Sequence, residues 1–307
     1  MNKQISLTLL ATFALLFSLT FSCNAKGKDK AKHVVLIGLD GWGAYSLPKA
    51  DMPNVKKLME DGSYTLKKRS ALPSSSAINW ASMFMGAGPE LHGYTEWGSS
   101  TPDLPSRVLN EHGIFPDIYS GIRAKYPDAE LGFFYEWNGM KYLVDTLAIN
   151  HVQPLNLSAE NSKEELKDVL SYLKEKKPMF CSVIFGEPDG AGHSKGWESE
   201  DYFKMLTHLD QALALIVSAV KEAGMMDETV FILSADHGGK GTGHGGKTMN
   251  EMQTPIVFYG KGIKQGAQIT ESTMVYDIAG TVAFMLGVEQ PQVWIARPIK
   301  SAFNEKF

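Results

Sequence analysis

His33-Val34-Val35-Leu36-Ile37-Gly38-Leu39 is an unbroken β-branched and aliphatic run, and it restricts the fold more than any other stretch of the chain. A strand exposed on one face alternates apolar with polar residues. A run without that alternation suits a strand covered on both faces, as in a parallel sheet. Further strand-like segments follow at Tyr64 to Leu72, Glu130 to Tyr135, Met179 to Phe185, Thr229 to Ser234 and Pro255 to Tyr259. Helical patterns lie between them: Pro53 to Asp61, with Pro at its start and Gly62 after its end, Asn79 to Met85, Ser158 to Lys176, about Ser199 to Ala223, and Val275 to Leu286. This alternation, free of internal repeats, predicts an α/β fold with a mostly parallel central sheet and helices on both faces.

The N-terminus sets the first boundary. A short basic start at Met1 to Gln4, an apolar stretch from Ile5 to Phe21 and the small residues Ser22-Cys23-Asn24-Ala25 precede the charged run Lys26 to Lys32. The pattern reads as a signal peptide over residues 1–25, not as a membrane span of about 20 apolar residues. Leu19 to Cys23 also resembles a lipobox, which would make Cys23 a lipoprotein anchor in the membrane. The expectation is an exported chain, periplasmic or at the cell surface, with a charged linker over 26–32 and one domain over 33–307. Removing residues 1–25 takes away a single charge, Lys3, and moves the formal net charge from −4 to −5. That mild acidity gives no reason to expect a nucleic acid partner. Cys181, inside an apolar run, is expected to be a buried thiol without a disulfide.

Residues of metal-ligand type recur where the strands end: Asp40, then Asp189 and His193 in Glu187-Pro188-Asp189-Gly190-Ala191-Gly192-His193, then Asp236 and His237, with His244 in a glycine-rich loop. Ligands of open α/β sheets sit at those carboxyl ends. Asp189 and His193, four residues apart with two glycines between, can wrap one cation from a tight turn. Singly, each block also has an ordinary explanation: a turn-capping Asp40, a solvent-exposed 187–193 loop without a ligand, an incidental His244. Together, three carboxylates and three imidazoles suffice for two divalent cations. Ser74-Ser75-Ser76 opens a helix. Such a run is ordinarily an N-cap, yet a hydroxyl there shares its position with free N–H groups and the positive end of the helix dipole. Asn79, one turn after Ser76, offers an amide to a non-bridging oxygen. These are the ingredients of a two-metal hydrolase with an alkoxide nucleophile.

Five ordered blocks carry a resemblance: Gly38-Leu39-Asp40-Gly41, Pro73 to Gly93 ending in Gly88-Pro89-Glu90-Leu91-His92-Gly93, Glu187-Pro188-Asp189 with His193, Asp236-His237-Gly238, and His244. From roughly Val34 to Gly287 the chain resembles the alkaline phosphatase superfamily, and within it the nucleotide pyrophosphatase/phosphodiesterase (type I phosphodiesterase) group. The resemblance implies an alkaline-phosphatase-like three-layer sandwich and a zinc-dependent hydrolase of small phosphoesters, acting on phosphodiester or pyrophosphate bonds. It implies that Asp189, His193 and His244 hold one zinc and that Asp40, Asp236 and His237 hold the other with Ser76; manganese tolerates the same donors. On that scheme Ser76 becomes a phosphoseryl ester, and the N–H of Ala77 with the amide of Asn79 holds a non-bridging oxygen. Two departures stand out. Ser76-Ala77 is phosphatase-like where the phosphodiesterases usually carry Thr and nucleotide-specific members an aromatic residue, and the interval from His237 to His244 lacks the long insertion of nucleotide-specific members.

Asn79, Trp137-Asn138-Gly139 and the missing arginine clamp favour a diesterase, whereas Ser76-Ala77 favours a phosphomonoesterase. A surface binding protein that keeps the fold without catalysis is the reading from another class, and the intact ligand set argues against it. The nucleophile block lacks the Cys-x-Pro-x-Arg pattern of sulfatases. Trp137, just after a strand end, is expected to line the cleft; Trp42, Trp80, Trp97, Tyr135 and Tyr142 fit core packing equally well. His92 is expected to be structural, because the two-metal set is complete without it.

Overall fold

In the computed structural model, which describes residues 30–98, 100–157 and 162–307, the apolar run forms β1 (His33–Asp40), with a hydrogen-bonded neighbour on each edge. The expected leader and Cys23 lie outside the described residues. β1 belongs to an eight-stranded sheet with β2 (Ser63–Arg69), β3 (Leu131–Tyr135), β4 (His151–Pro154), β5 (Phe180–Pro188), β6 (Thr229–Ser234), β7 (Gln253–Gly260) and β8 (Ala267–Gln268). Their order is β4-β3-β5-β1-β6-β7-β2-β8. Every pairing is parallel except those of β7, which runs antiparallel to β6 and to β2. The mostly parallel sheet is borne out, with one reversed strand.

The helices are α1 (Pro53–Asp61), α2 (Ser76–Met85), α3 (Pro89–His92), α4 (Ile118–Lys125), α5 (Ser162–Glu165), α6 (Lys167–Lys176), α7 (Asp189–Lys195), α8 (Glu200–Glu222), α9 (Met249–Met252) and α10 (Asp277–Leu286). The pattern expected as one helix over Ser158 to Lys176 is divided at Leu166 into α5 and α6, and its residues 158–161 lie outside the described residues. Successive side chains of a strand point to opposite faces, so β1 supplies two cores at once. Val34 and Leu36 join α2, α4 and α10 on one side; Val35, Ile37 and Leu39 join α1, α6 and α8 on the other. This is the three-layer α/β sandwich, and its apolar strand residues each contribute about 1.5–3 kcal/mol by burial. Gly38 stands within the run for a reason. A Cβ there would lie 2.5 Å from Cη2 of Trp80, so the glycine makes room for an indole carried by α2.

The end of the charged run is bound to the body. Lys30 Nζ donates to the Phe284 carbonyl at 2.8 Å and sits 3.8 Å above the Phe284 ring, while Lys32 pairs with Glu228 at 2.7 Å. Residues 30–32 are thereby held against the body, with the Lys32 side chain still exposed, and residues 26–29 of the expected linker lie outside the described residues. Cys181, in β5, is buried and free, as expected.

Candidate metal centre

Strand register brings the three aspartates to one rim. β1 pairs Gly38 with Ser234 of β6, so two residues further on Asp40 and Asp236 are neighbours. A register shift between Leu39 and Asp40 then sets Asp40 opposite Pro188, the residue before Asp189. Gly41 follows with φ +72°, a left-handed conformation, and a Cβ on it would lie 2.9 Å from Asp189; only glycine allows both. The Gly41 N–H donates to Asp236 Oδ1 at 3.1 Å.

Asp189 and His193 come from α7, four residues apart on one helical face, not from the tight turn that the two glycines suggest. His193 Nε2 lies 3.4 Å from Asp189 Oδ2 and 3.1 Å from His244 Nε2, and His244 Nε2 lies 3.7 Å from Asp189 Oδ1. The second group gathers around His237 Nε2: Asp236 Oδ2 at 3.2 Å, Asp40 Oδ1 at 3.4 Å and Ser76 Oγ at 3.1 Å. Ser76 Oγ is also 3.3 Å from Asp40 Oδ1. Asp189 stands between the groups, its donor within 4.8 Å of donors from Asp40 and His237.

Each imidazole is held by a backbone carbonyl. Nδ1 of His193 donates to Thr242, that of His244 to Ser74 and that of His237 to Gly238, at 3.0, 3.1 and 2.8 Å. A carbonyl only accepts, so Nδ1 carries the proton and every Nε2 lone pair faces the site. Two such lone pairs 3.1 Å apart, and the buried Asp189 Oδ1 and Asp236 Oδ2 without a hydrogen-bond partner, form a set of donors with nothing to share. Divalent cations satisfy this arrangement. Mixed nitrogen and oxygen donors suit zinc, and manganese accepts them too.

The electrostatics agree. Burial, then repulsion from Asp236, pushes the Asp40 carboxyl well above its usual range; burial and Asp189 take Asp236 to about 8; burial and Asp40 take Asp189 to about 7. Burial, with His237 next in weight, pulls His244 down to about 3. Trp80 Nε1 steadies Asp40 by donating to Oδ2 at 3.0 Å.

Ser76 opens α2, and the N-cap residue Ser75 makes no side-chain cap, which leaves the first-turn N–H groups, that of Ala77 among them, for an anion. The Ala77 methyl itself is buried in the core. Asn79 corrects the expectation of an amide aimed at substrate. It is fully buried; Nδ2 donates to the carbonyls of Ala71, Pro73 and Ser75, and Oδ1 accepts from the Ala71 N–H at 2.7 Å. Asn79 therefore latches the loop that presents Ser76.

A cleft of about 560 Å³ covers the centre, and Trp137 lines it as expected. So does Trp97, which is 71% exposed and had no local pattern to distinguish it from packing aromatics. Neither Arg nor Lys is among the described residues lining it. Trp42 and Trp80 are core residues. His92 is structural: burial lowers it to about 3, and its ring bonds the Ser82 hydroxyl and the Tyr94 N–H.

A doubly covered, mostly parallel sheet with an Asp/His centre beside a helix-borne serine defines an alkaline-phosphatase-like protein. The chain belongs to the type I phosphodiesterase / nucleotide pyrophosphatase family, whose model matches residues 34–256. It is 27% identical over 215 residues to human ectonucleotide pyrophosphatase/phosphodiesterase family member 1, covering 66% of this chain and 23% of that protein. It is 26% identical over 227 residues to venom phosphodiesterase 2 of Crotalus adamanteus, covering 67% and 26%. The match thus spans about a quarter of the length of these relatives. Among solved structures, human ectonucleotide pyrophosphatase / phosphodiesterase 5 shares the fold with TM-score 0.71 and 12% identity over 89% of this chain and 100% of that one. The phosphonate monoester hydrolase from Silicibacter pomeroyi does so with TM-score 0.68 and 14% identity over 90% and 78%.

Proposed function

We propose that the chain hydrolyses phosphodiester or pyrophosphate bonds of small substrates with two divalent cations, zinc in first place, through a phosphoseryl intermediate on Ser76. The observation that carries this reading is the approach of Ser76 Oγ to His237 Nε2 and Asp40 Oδ1, at 3.1 and 3.3 Å, in a cleft also lined by Asp189, His193 and His244. Asp189, His193 and His244 would hold one cation and Asp40, Asp236 and His237 the other, and the pair would neutralise charge on the phosphate and lower the pKa of a hydroxyl or a water. Ser76 Oγ gives up its proton to solvent and attacks phosphorus, the bond to the leaving oxygen breaks as that oxygen takes a proton from water, and the Ala77 N–H holds a non-bridging oxygen. Water arriving from the side of Asp189, His193 and His244 then cleaves the phosphoseryl ester and restores the hydroxyl.

The lack of Arg and Lys among the described residues lining the cleft suits a singly charged diester better than a doubly charged monoester. Ser76-Ala77 keeps phosphomonoester hydrolysis as the second reading. The expected leader would carry the reaction outside the cytoplasm, with cleavage either before Cys23, which would leave that residue as a lipid anchor, or after residue 25, which would remove it; mass spectrometry of the mature N-terminus distinguishes the two. For the chemistry, bis-p-nitrophenyl phosphate, a nucleotide monoester and p-nitrophenyl phosphate are compared under one zinc concentration, with elemental analysis for two cations per chain. Ser76→Ala is expected to lower turnover of the best substrate at least ~1000-fold. Turnover within a few-fold of the parent would remove Ser76 as the nucleophile.

A further inference from the structure

Lys68 is fully buried, although its strand ends in three consecutive charged residues, Lys67-Lys68-Arg69. Its Nζ donates to the Ala235 carbonyl at 2.8 Å, and two residues on, the Ser70 hydroxyl makes a short hydrogen bond to the Asp236 carbonyl. β7 lies between β2 and β6, so both donors reach past a strand. Lys68 pairs with Thr254 of β7, and the β6–β7 register, which sets Ser234 against Ile256, continues to place Thr254 beside Asp236. Two consecutive carbonyls of the corner that carries Asp236 and His237 are thereby tied to the end of β2, one strand removed from β6.

Burying an amine costs several kcal/mol, a cost that a methionine of similar length does not carry. Burial brings Lys68 down to about 7 against the opposing pull of Asp236 and Asp277; charged or neutral, the amine still donates to Ala235. The metal-free fold thus gains little from Lys68, while the Asp236–His237 corner gains a fixed backbone. That corner needs one, because its carboxylate is pressed against Asp40 and Asp189. Resting on the two-cation reading above, we propose that Lys68 and Ser70 are positioning residues for the cation held by Asp40, Asp236 and His237, acting through the Ala235 and Asp236 carbonyls.

Metal-depleted parent, Lys68→Met and Ser70→Ala are titrated with zinc by calorimetry, analysed for bound zinc after dialysis at limiting metal, and unfolded with urea in EDTA. The parent is expected to bind two zinc ions, and each variant to weaken one of the two equilibria about 10–100-fold. Without metal, Lys68→Met is expected to be at least as stable as the parent. A folded variant that binds both ions within about twofold of the parent overturns the proposal. So does a loss of zinc affinity matched by an equal loss of metal-free stability, which is what a purely structural role gives. Should Lys68→Met not fold, the purely structural role is taken as correct unless Ser70→Ala shows the selective zinc loss. A parent that binds no zinc refutes instead the two-cation reading itself.

Discussion

Asp236→Asn tests whether the fold holds three carboxylates together at an energetic cost that cations relieve. Asp236 is fully buried, and its Oδ1 accepts the Gly41 N–H at 3.1 Å, a role the Asn oxygen keeps. Its Oδ2 has no partner and lies 3.2 Å from His237 Nε2, where the Asn amide would donate to the imidazole lone pair. Where the parent carboxyl is ionised, the substitution therefore removes a charge and adds a bond. Burial and Asp189 place the folded pKa of Asp236 at about 8, well above the unfolded value of about 3.9. The stability tied to the protonated side chain is then fully present below about pH 4 and is lost as pH rises through about 8, whereas Asn has none to lose. Each pH unit in that window is worth about 1.4 kcal/mol. Between about pH 5 and pH 8 in EDTA, the stability difference is expected to move toward the variant by on the order of 4 kcal/mol. With zinc present the order reverses, because the parent gains binding free energy that the variant, one ligand short, does not. Urea unfolding across this pH range, with EDTA and with zinc, measures both effects. A difference independent of pH in EDTA, or a variant less stable than the parent at the alkaline end, refutes the reasoning.

Asn79→Ala removes the latch on the Ser76 loop and is expected to cost about 2–4 kcal/mol in urea unfolding and to lower kcat on all three substrates by a similar factor. Unchanged stability with a selective loss on one substrate would instead make Asn79 a substrate contact. Gly38→Ala drives a methyl into Trp80 and is expected to cost about 1–3 kcal/mol and to weaken zinc binding through the Trp80–Asp40 hydrogen bond. Parental stability and zinc affinity, read by unfolding and calorimetry, would show that the indole moves away freely.

β1, β5 and β6 were legible because strands buried on both faces need unbroken apolar runs. β4 and β8, four and two residues at the sheet edges, carry too little pattern to read, and the reversed direction of β7 leaves no mark in its composition. The aspartates were legible as strand ends, yet the register shift at Leu39 and Asp40 that brings Asp189 beside Asp40 is a property of the pairing. Asn79 shows the limit from the other side. Its amide has the same chemistry whether it faces the cleft or the carbonyls of Ala71, Pro73 and Ser75, and only the path of the preceding loop decides. Lys68 was illegible for a related reason, since nothing in the consecutive charged residues Lys67-Lys68-Arg69 marks one of them as buried until β7 and the Ala235 carbonyl are placed around it. The three imidazoles make the distinction sharpest. Their identity and order are written in the chain, but their useful tautomer depends on carbonyls of Thr242, Ser74 and Gly238, and a carbonyl is common to every residue. Which nitrogen faces the centre is therefore settled by the fold, even where the presence of the imidazole is settled by the sequence.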